Sequence, residues 1–453
     1  MALKVIILAA GKGTRMRSNL PKVLQPLAQK PLLQHVIDTA QSLYCDEIIT
    51  VIGHGAEQVK SRITGQHLQF TLQEEQLGTG HAVMQANSHY SDSDTVLILY
   101  GDVPLTAAST LKRLLESIDA QHPLALLTVT LENPSGYGRI VRDSKNAVQA
   151  IIEQKDADKH ILAIQEVNTG IMAVKGSQLK QWLSALDNTN VQSEYYLTDI
   201  IAMAVFDGFS IQTTQPDDEI EVLGVNDKLQ LQSLERQYQY QCAKLLMQQG
   251  ATVVDAQRLD IRGMVTVEPD VTLDVNVVLE GTVFLGANVT IGAHCILKNV
   301  QVAANTYIHP FSHLEDCIVG ENCSIGPYAR LRPGSDLADE VKIGNFVEIK
   351  QSKIGLGSKV SHLSYIGDTE MGSDVNIGAG TITCNYDGVN KHQTIIGDGV
   401  FIGSDTQLVA PVEIDSRATI GAGSTITKRA PANELTLSRS KQLTIKGWQK
   451  PVK

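Results

Sequence analysis

Between Val267 and Ile426 aliphatic side chains return at nearly every sixth position, a spacing that suits neither an amphipathic helix nor a long strand. The series runs Val267, Leu273, Leu279, Leu285, Ile291 and Leu297, resumes at Val302, Leu314 and Val319, and returns at Ile396, Ile402, Leu408, Ile414, Ile420 and Ile426. Glycine often follows the anchor, as in Ile291-Gly292, Ile377-Gly378 and Ile420-Gly421, and the position four beyond it is small or β-branched (Val271, Cys295, Ala329, Ser424). Two-residue alternation broken by a tight turn every six residues predicts a solenoid of short strands with stacked, inward-facing anchors. The spacing drops to five at Leu297→Val302, Leu314→Val319, Ile349→Ile354 and Ile366→Met371, always after a whole number of triplets. That predicts a prism of three faces, about eighteen residues per turn, whose shortened corner is always the same one. The stretch Cys384–Ile395 leaves from that corner too if Thr383 fills an anchor position.

The first half has a different rhythm. Apolar runs at Val5–Ala9, Glu47–Ile52, Thr95–Tyr100, Ala125–Thr130 and Val167–Val174 alternate with helical segments such as Pro31–Ser42 and Leu111–Ile118, which predicts a mostly parallel α/β sheet. Asp227–Gln249, rich in Leu, Gln, Arg and Lys and stopped by Gly250, predicts a connecting helix of ~35 Å, docked through Leu229, Leu231, Leu234, Leu245 and Leu246. The organisation expected is a Rossmann-like α/β domain over residues 1–226, a helical linker over 227–250, and a parallel β-helix with a C-terminal tail over 251–453.

Composition narrows the function. A net charge of −11 on 453 residues argues against a nucleic-acid-binding surface. No apolar run approaches a membrane span, and Val5–Ala10 runs straight into a glycine loop, so it reads as a buried strand rather than a signal segment. A cytoplasmic protein is expected. The six cysteines form no CxxC pair and no zinc spacing, as expected of free thiols in a reducing compartment. The tail from Ser438 carries Arg439, Lys441, Lys446, Lys450 and Lys453 without an acid; it is either a solvated terminus or a contact for ligand phosphates.

Gly11-Lys12-Gly13-Thr14-Arg15 follows the first strand without forming a dinucleotide fingerprint, because Met16 stands at its last glycine position, and it is not a P-loop. Such a turn still offers backbone N–H groups to phosphates, with Lys12 and Arg15 beside it. Asp102 ends a strand where open α/β sheets place ligands, and a carboxylate there suits Mg²⁺. The run Leu8-Ala9-Ala10-Gly11-x-Gly13-Thr14-Arg15-Met16, then Leu20-Pro21-Lys22, Glu75-Gln76-Leu77-Gly78-Thr79-Gly80, Tyr100-Gly101-Asp102, Gly136-Tyr137-Gly138-Arg139, Glu153, Asn168-Thr169-Gly170 and Gly224-Val225-Asn226, resembles the sugar-1-phosphate nucleotidyltransferases. The resemblance implies nucleotide and sugar contacts at Leu8, Ala9, Ala10, Gly11, Arg15, Lys22, Gln73, Gly78, Thr79, Tyr100, Gly101, Asp102, Gly138, Glu153, Asn168 and Asn226, with Mg²⁺ on Asp102 and Asn226. Leu223, where a carboxylate is expected, and Asp227 depart from the pattern.

The hexads resemble those of the hexapeptide acyltransferases, which implies a left-handed coil and a homotrimer. His362 stands two positions after the anchor Val360 among short polar residues, and imidazole titrates where a base for amine acetylation is needed. Backbone N–H groups of Asn376–Gly380 are candidates for an oxyanion, and Cys384 is a weaker candidate for a nucleophile, since an amine attacks a thioester directly. Taken together, the two halves resemble the bifunctional bacterial N-acetylglucosamine-1-phosphate uridylyltransferase/glucosamine-1-phosphate N-acetyltransferases over nearly the whole chain. That resemblance implies acetyl transfer from acetyl-CoA to glucosamine 1-phosphate, then uridylyl transfer from UTP to the product. It implies His362 as the base, Arg332 and Lys350 as phosphate clamps, and Tyr365 and Asn376 against the sugar. Ala379, Ser404, Ala422 and Arg439 would line the CoA groove, and Asn385 and Tyr386 would close the site from a neighbouring subunit. Two rivals remain open: a nucleotidyltransferase with a regulatory β-helix, against which the His362 region argues, and a non-catalytic assembly protein, against which Arg15, Lys22, Asp102 and Asn226 argue.

Overall fold

The computed structural model describes residues 2–451, so Lys453 of the basic tail lies outside the described residues. The chain divides into two compact units, Met1–Tyr238 and Gln239–Lys453. The division falls inside the helix Lys228–Gln248. Leu234 and Leu246 of that helix are buried, but Leu229 and Leu245 face solvent, so the five leucines do not form one docking side. On a 3.6-residue wheel all but Leu229 share one side, but Leu234 packs into a cluster of the first unit and Leu246 into one of the second, and Leu245 joins neither.

In the first unit one sheet runs in the order Gln212–Thr214, Leu124–Thr130, Glu166–Lys175, Thr95–Tyr100, Leu3–Ala9, Glu47–Ile52, Leu68–Leu72. All neighbours are parallel except Glu166–Lys175, which is antiparallel to both of its partners. Near-continuous aliphatic runs such as Val5–Ala9 are buried on both faces, as parallel strands covered by helices must be. The hairpin of Arg139–Arg142 and Val148–Ile152 extends from Glu166–Lys175. The C-terminal ends of Leu3–Ala9 and Thr95–Tyr100 lie side by side, with Leu8 opposite Tyr100, and open the crevice that holds the first site.

The second unit is a parallel β-helix. Down one face the ladder joins Leu273, Ile291, Ile308, Ile325, Ile343, Val360, Ile377, Ile402 and Ile420, every one of them buried. The five-residue steps fall at one corner, where Asn299, Asp316, Gln351 and Asp368 take positive φ. The Cys384–Ile395 excursion leaves from the same corner: the Thr394 N–H returns to the Asp368 carbonyl. Thr383 does occupy an anchor position, 1% exposed opposite Leu408, and its hydroxyl oxygen accepts the Gly367 N–H at 2.7 Å.

A second corner carries His294, Phe311, Tyr328, Phe346 and Leu363, all at positive φ. The four rings stack in sequence at 4.8, 5.0 and 5.2 Å, and Phe311, Tyr328, Phe346 and Leu363 are exposed. Left-handed backbone suits glycine or asparagine and disfavours bulky side chains. This corner therefore carries apolar surface at a conformational cost.

Candidate functional site

The first site is built around a lysine. Gly13 sits at φ 58°, and a Cβ there would lie 2.6 Å from Lys22 Cβ, so glycine leaves the passage by which Lys22 reaches the crevice. Pro21 sets the backbone ahead of Lys22, whose ammonium pairs with the Asp102 carboxylate at the end of Thr95–Tyr100. The Asp102 carbonyl accepts the Val225 N–H at 2.9 Å, which brings the distant Asn226 alongside. Asn226 Oδ1 accepts from Arg15 at 2.9 Å and from Lys22 at 3.4 Å.

A cleft of about 320 Å³ adjoins this group. Leu8, Ala9, Ala10, Gly11, Lys22, Gln73, Gly78, Thr79, Tyr100 and Asp102 line it, ten of the positions singled out in the sequence. Gly101 donates its N–H to the Leu8 carbonyl at the same place. Behind Tyr100 lies a second cluster. Asn168 donates its N–H to the Gly138 carbonyl at 2.9 Å, and a Cβ on Gly138 would lie 3.4 Å from Glu153 Oε1. Burial pushes the Glu153 carboxyl up, against a 3.2 Å hydrogen bond donated by Thr198. Burial also pushes the Tyr100 phenol well above its ordinary range, helped by the Glu153 and Asp102 carboxylates.

Sequence reasoning missed Glu194, which lines the cleft, and Thr198. Both belong to a segment tied to the glycine turn, since Gly80 N–H donates to the Tyr195 carbonyl at 2.8 Å and Leu197 N–H to Thr79 Oγ1 at 3.1 Å. Nothing in the spacing of Glu194-Tyr195-Tyr196-Leu197-Thr198 announces that contact.

On the β-helix, His362 ends the strand Lys359–His362 and is exposed. Its Nδ1 lies 2.8 Å from Asn345 Oδ1 on the preceding rung. An amide oxygen only accepts, so Nδ1 carries the proton and the Nε2 lone pair is left free. Asn345 went unnoticed in the sequence because its relation to His362 is a rung apart. Ala379, Ser404 and Ala422 each stand just before a turn residue of the same corner, as His362 does before Leu363. Asp405 N–H donates to the Ala379 carbonyl, Gly423 N–H to that of Ser404, and the Arg439 guanidinium to that of Ala422 at 2.9 Å. Asn376 and Gly378 donate their own N–H groups to Val400 and Ile402, which leaves Ala379 and Gly380 as that turn's candidates for an oxyanion.

The cations stand at the other end of the adjoining face. One outward column alternates in sign through Arg262, Glu280, Lys298 and Glu315, with Lys298 3.8 Å from Glu280 and 3.0 Å from Glu315. The alternation then breaks, because Arg332 is followed one rung on by Lys350. Arg332 is held by Glu348 at 2.8 Å. Lys391, from the excursion, lies against Lys350, and that neighbouring ammonium pushes the Lys391 amine below the usual lysine range. Lys391 is a further residue the sequence did not single out. Buried Asn385 donates to Asp368 and, at 3.4 Å, to the Tyr365 hydroxyl of its own chain, whereas Tyr386 is exposed and donates to the Gly388 carbonyl. Burial pushes the Cys384 thiol up, away from nucleophilic use.

Comparison with known proteins agrees with this division of the chain. The MobA-like NTP transferase domain matches residues 5–169, the GMPPB C-terminal domain residues 261–359, and the bacterial transferase hexapeptide (six repeats) residues 393–428. The Bifunctional protein GlmU of Hydrogenovibrio crunogenus is 70% identical over 453 residues, covering the whole of both chains. Those of Marinobacter nauticus and Cellvibrio japonicus are each 56% identical over 451 residues, covering 100% of this chain and 99% of theirs. With identity at this level from end to end, on a sheet crevice and a hexad coil that each carry their own polar site, the chain belongs to the bifunctional GlmU family.

Proposed function

We propose that the chain makes UDP-N-acetylglucosamine by two transfers at separate sites, with residues 1–226 carrying uridylyl transfer, 251–453 carrying acetyl transfer and 227–250 connecting them. The observation that carries this reading is the Asn345–His362 pair, which holds a free imidazole nitrogen on the same corner as Ala379, Ser404 and Ala422.

In the first reaction the amine of glucosamine 1-phosphate attacks the thioester carbonyl of acetyl-CoA. A C–N bond forms, His362 Nε2 takes the amine proton, and the C–S bond breaks as the intermediate collapses, releasing CoA, whose sulfur receives the proton. Arg332, Lys350 and Lys391 clamp the sugar phosphate, Tyr365 and Asn376 orient the ring, and Arg439 faces CoA. His362 and the cations stand at different corners of one coil. A homotrimer through the β-helix would bring such corners of neighbouring copies together, and the exposed aromatic corner supplies apolar surface for it. Asn385 and Tyr386 then close the site around the acceptor.

In the second reaction a phosphate oxygen of N-acetylglucosamine 1-phosphate attacks the α-phosphorus of UTP in line, and the bond to pyrophosphate breaks. The Leu8–Gly11 strand end, Gln73, Gly78 and Thr79 hold the nucleotide; Gly138, Glu153 and Asn168 hold the sugar; Arg15 and Lys22 meet the phosphates. Asp102 and Asn226 offer two hard oxygens that already share a cation, a donor set that fits Mg²⁺, which takes one or two protein ligands and completes its shell with phosphate and water. Bound there, Mg²⁺ neutralises charge on the phosphates. Among the described residues no helix is long and apolar enough to cross a membrane, and the proposed compartment is the cytoplasm.

The test follows CoA thiol release from glucosamine 1-phosphate with acetyl-CoA, and pyrophosphate release from N-acetylglucosamine 1-phosphate with UTP, on the same purified protein. His362→Ala is expected to abolish the first and leave the second within a few fold. Loss of both in a folded variant overturns separate sites, and pyrophosphate release by wild-type protein without thiol release reduces the β-helix to a scaffold.

A further inference from the structure

Lys22 and the proposed metal ligands stand in an arrangement that the transfer reaction does not use. The Lys22 ammonium pairs with Asp102 Oδ2 and lies 3.4 Å from Asn226 Oδ1, so one nitrogen reaches both oxygens assigned to Mg²⁺. A divalent ion bound to both would need the space between them, about 2.1 Å from each. An ammonium and a divalent cation repel too strongly to share that space. The pair is also sheltered, with side chains 15% and 16% exposed, so water screens it incompletely. Gly13 leaves the lysine its passage, and Arg15 donates to the same Asn226 oxygen, closing the second ligand as well.

From this we infer that Lys22 is an internal stand-in for the metal: its ammonium holds Asp102 and Asn226 closed to a divalent cation until nucleotide phosphates draw it away. This rests on the reading of Asp102 and Asn226 as metal ligands. A nucleoside triphosphate offers Lys22 and Arg15 several negative oxygens in exchange for one carboxylate and a neutral amide. Phosphate binding and exposure of the metal ligands become one event, and metal and nucleotide bind with strong positive coupling. The lysine thereby has two roles: counter-ion to Asp102 in the free protein and phosphate contact in the complex.

The experiment titrates the full chain with Mn²⁺ alone, following the free ion by electron paramagnetic resonance, for wild type, Lys22→Met and Lys22→Gln. Binding without nucleotide is expected to tighten at least about tenfold in both variants. Mn²⁺ is also expected to raise the Tm of both variants and leave that of the free wild type unmoved, because only an open site links metal binding to folding. Equal Mn²⁺ affinity in wild type and variants, with either variant folded by circular dichroism, overturns the inference. A parallel arm measures Mn²⁺ uptake in the presence of UTP by wild type and Asp102→Ala. If Asp102→Ala changes nothing there, the metal-site reading itself fails. If it abolishes uptake while Lys22 variants show no gain, only the stand-in role fails.

Discussion

His362 Nδ1 donates to Asn345 Oδ1 at 2.8 Å across two successive rungs of the β-helix. The hydrogen bond selects the tautomer whose Nε2 can take a proton and holds the ring in one orientation. Asn345→Ala is therefore expected to lower kcat for acetyl transfer by about tenfold to a hundredfold, with KM for glucosamine 1-phosphate little changed. Thiol release assays check this, and an unaltered kcat would remove Asn345 from the mechanism.

Gly13 offers a sharper lesion at the other site. An added methyl would meet Lys22 Cβ at 2.6 Å, and the positive φ penalises it further. Gly13→Ala is expected to lower kcat/KM for uridylyl transfer by about a hundredfold through misplacement of Lys22, while acetyl transfer is unchanged. A normal pyrophosphate assay would show that the loop yields without disturbing the lysine.

The Lys391 amine is held below its ordinary range by the Lys350 ammonium beside it. A lowered lysine loses its charge earlier than usual as pH rises, and the proposed phosphate clamp loses one cation with it. KM for glucosamine 1-phosphate is expected to climb on the alkaline side before ordinary lysines titrate. Lys391→Arg, whose charge persists, is expected to flatten that rise, and Lys391→Ala to raise KM about tenfold at neutral pH. A KM–pH profile that is the same in wild type and Lys391→Arg would exclude the residue from the clamp.

Tyr328 and Phe346 stack at 5.2 Å on exposed, left-handed backbone. Asparagine suits that backbone better but carries no apolar surface. The double variant Tyr328→Asn/Phe346→Asn is expected to keep the melting temperature of the isolated coil within a few degrees while shifting the assembly toward monomer and depressing acetyl transfer. Analytical ultracentrifugation reads the change, and an unchanged sedimentation coefficient would place the interface elsewhere.

Much of this was legible beforehand, because the local constraints are periodic. Anchors that must point inward every six residues, a corner one residue shorter, and the exit of Cys384–Ile395 all follow from counting, and Thr383 could be placed as a polar anchor by the same count. The glycine turn and Asp102 were readable because each follows a strand end, and Lys22 because the run Leu20-Pro21-Lys22 carries the family resemblance. The leucines of Lys228–Gln248 misled, since all but Leu229 share one side by spacing, yet Leu234 and Leu246 are buried in separate clusters and Leu245 in neither.

Unread were the relations that cross rungs or strands. Asn345 meets His362, and Lys391 meets Lys350, at separations set by the length of a turn of the coil and by a loop excursion rather than by local pattern. Asn226 meets Lys22 because a backbone hydrogen bond from Val225 to Asp102 folds the segment back. Period and turn chemistry are properties of neighbouring residues, and so the order of residues suffices to specify a coil, a sheet and the loops that bear charge. Which charge faces which is settled by register and by chain return. Those depend on burying the anchors of every rung together, and they bring into contact side chains that the sequence keeps far apart.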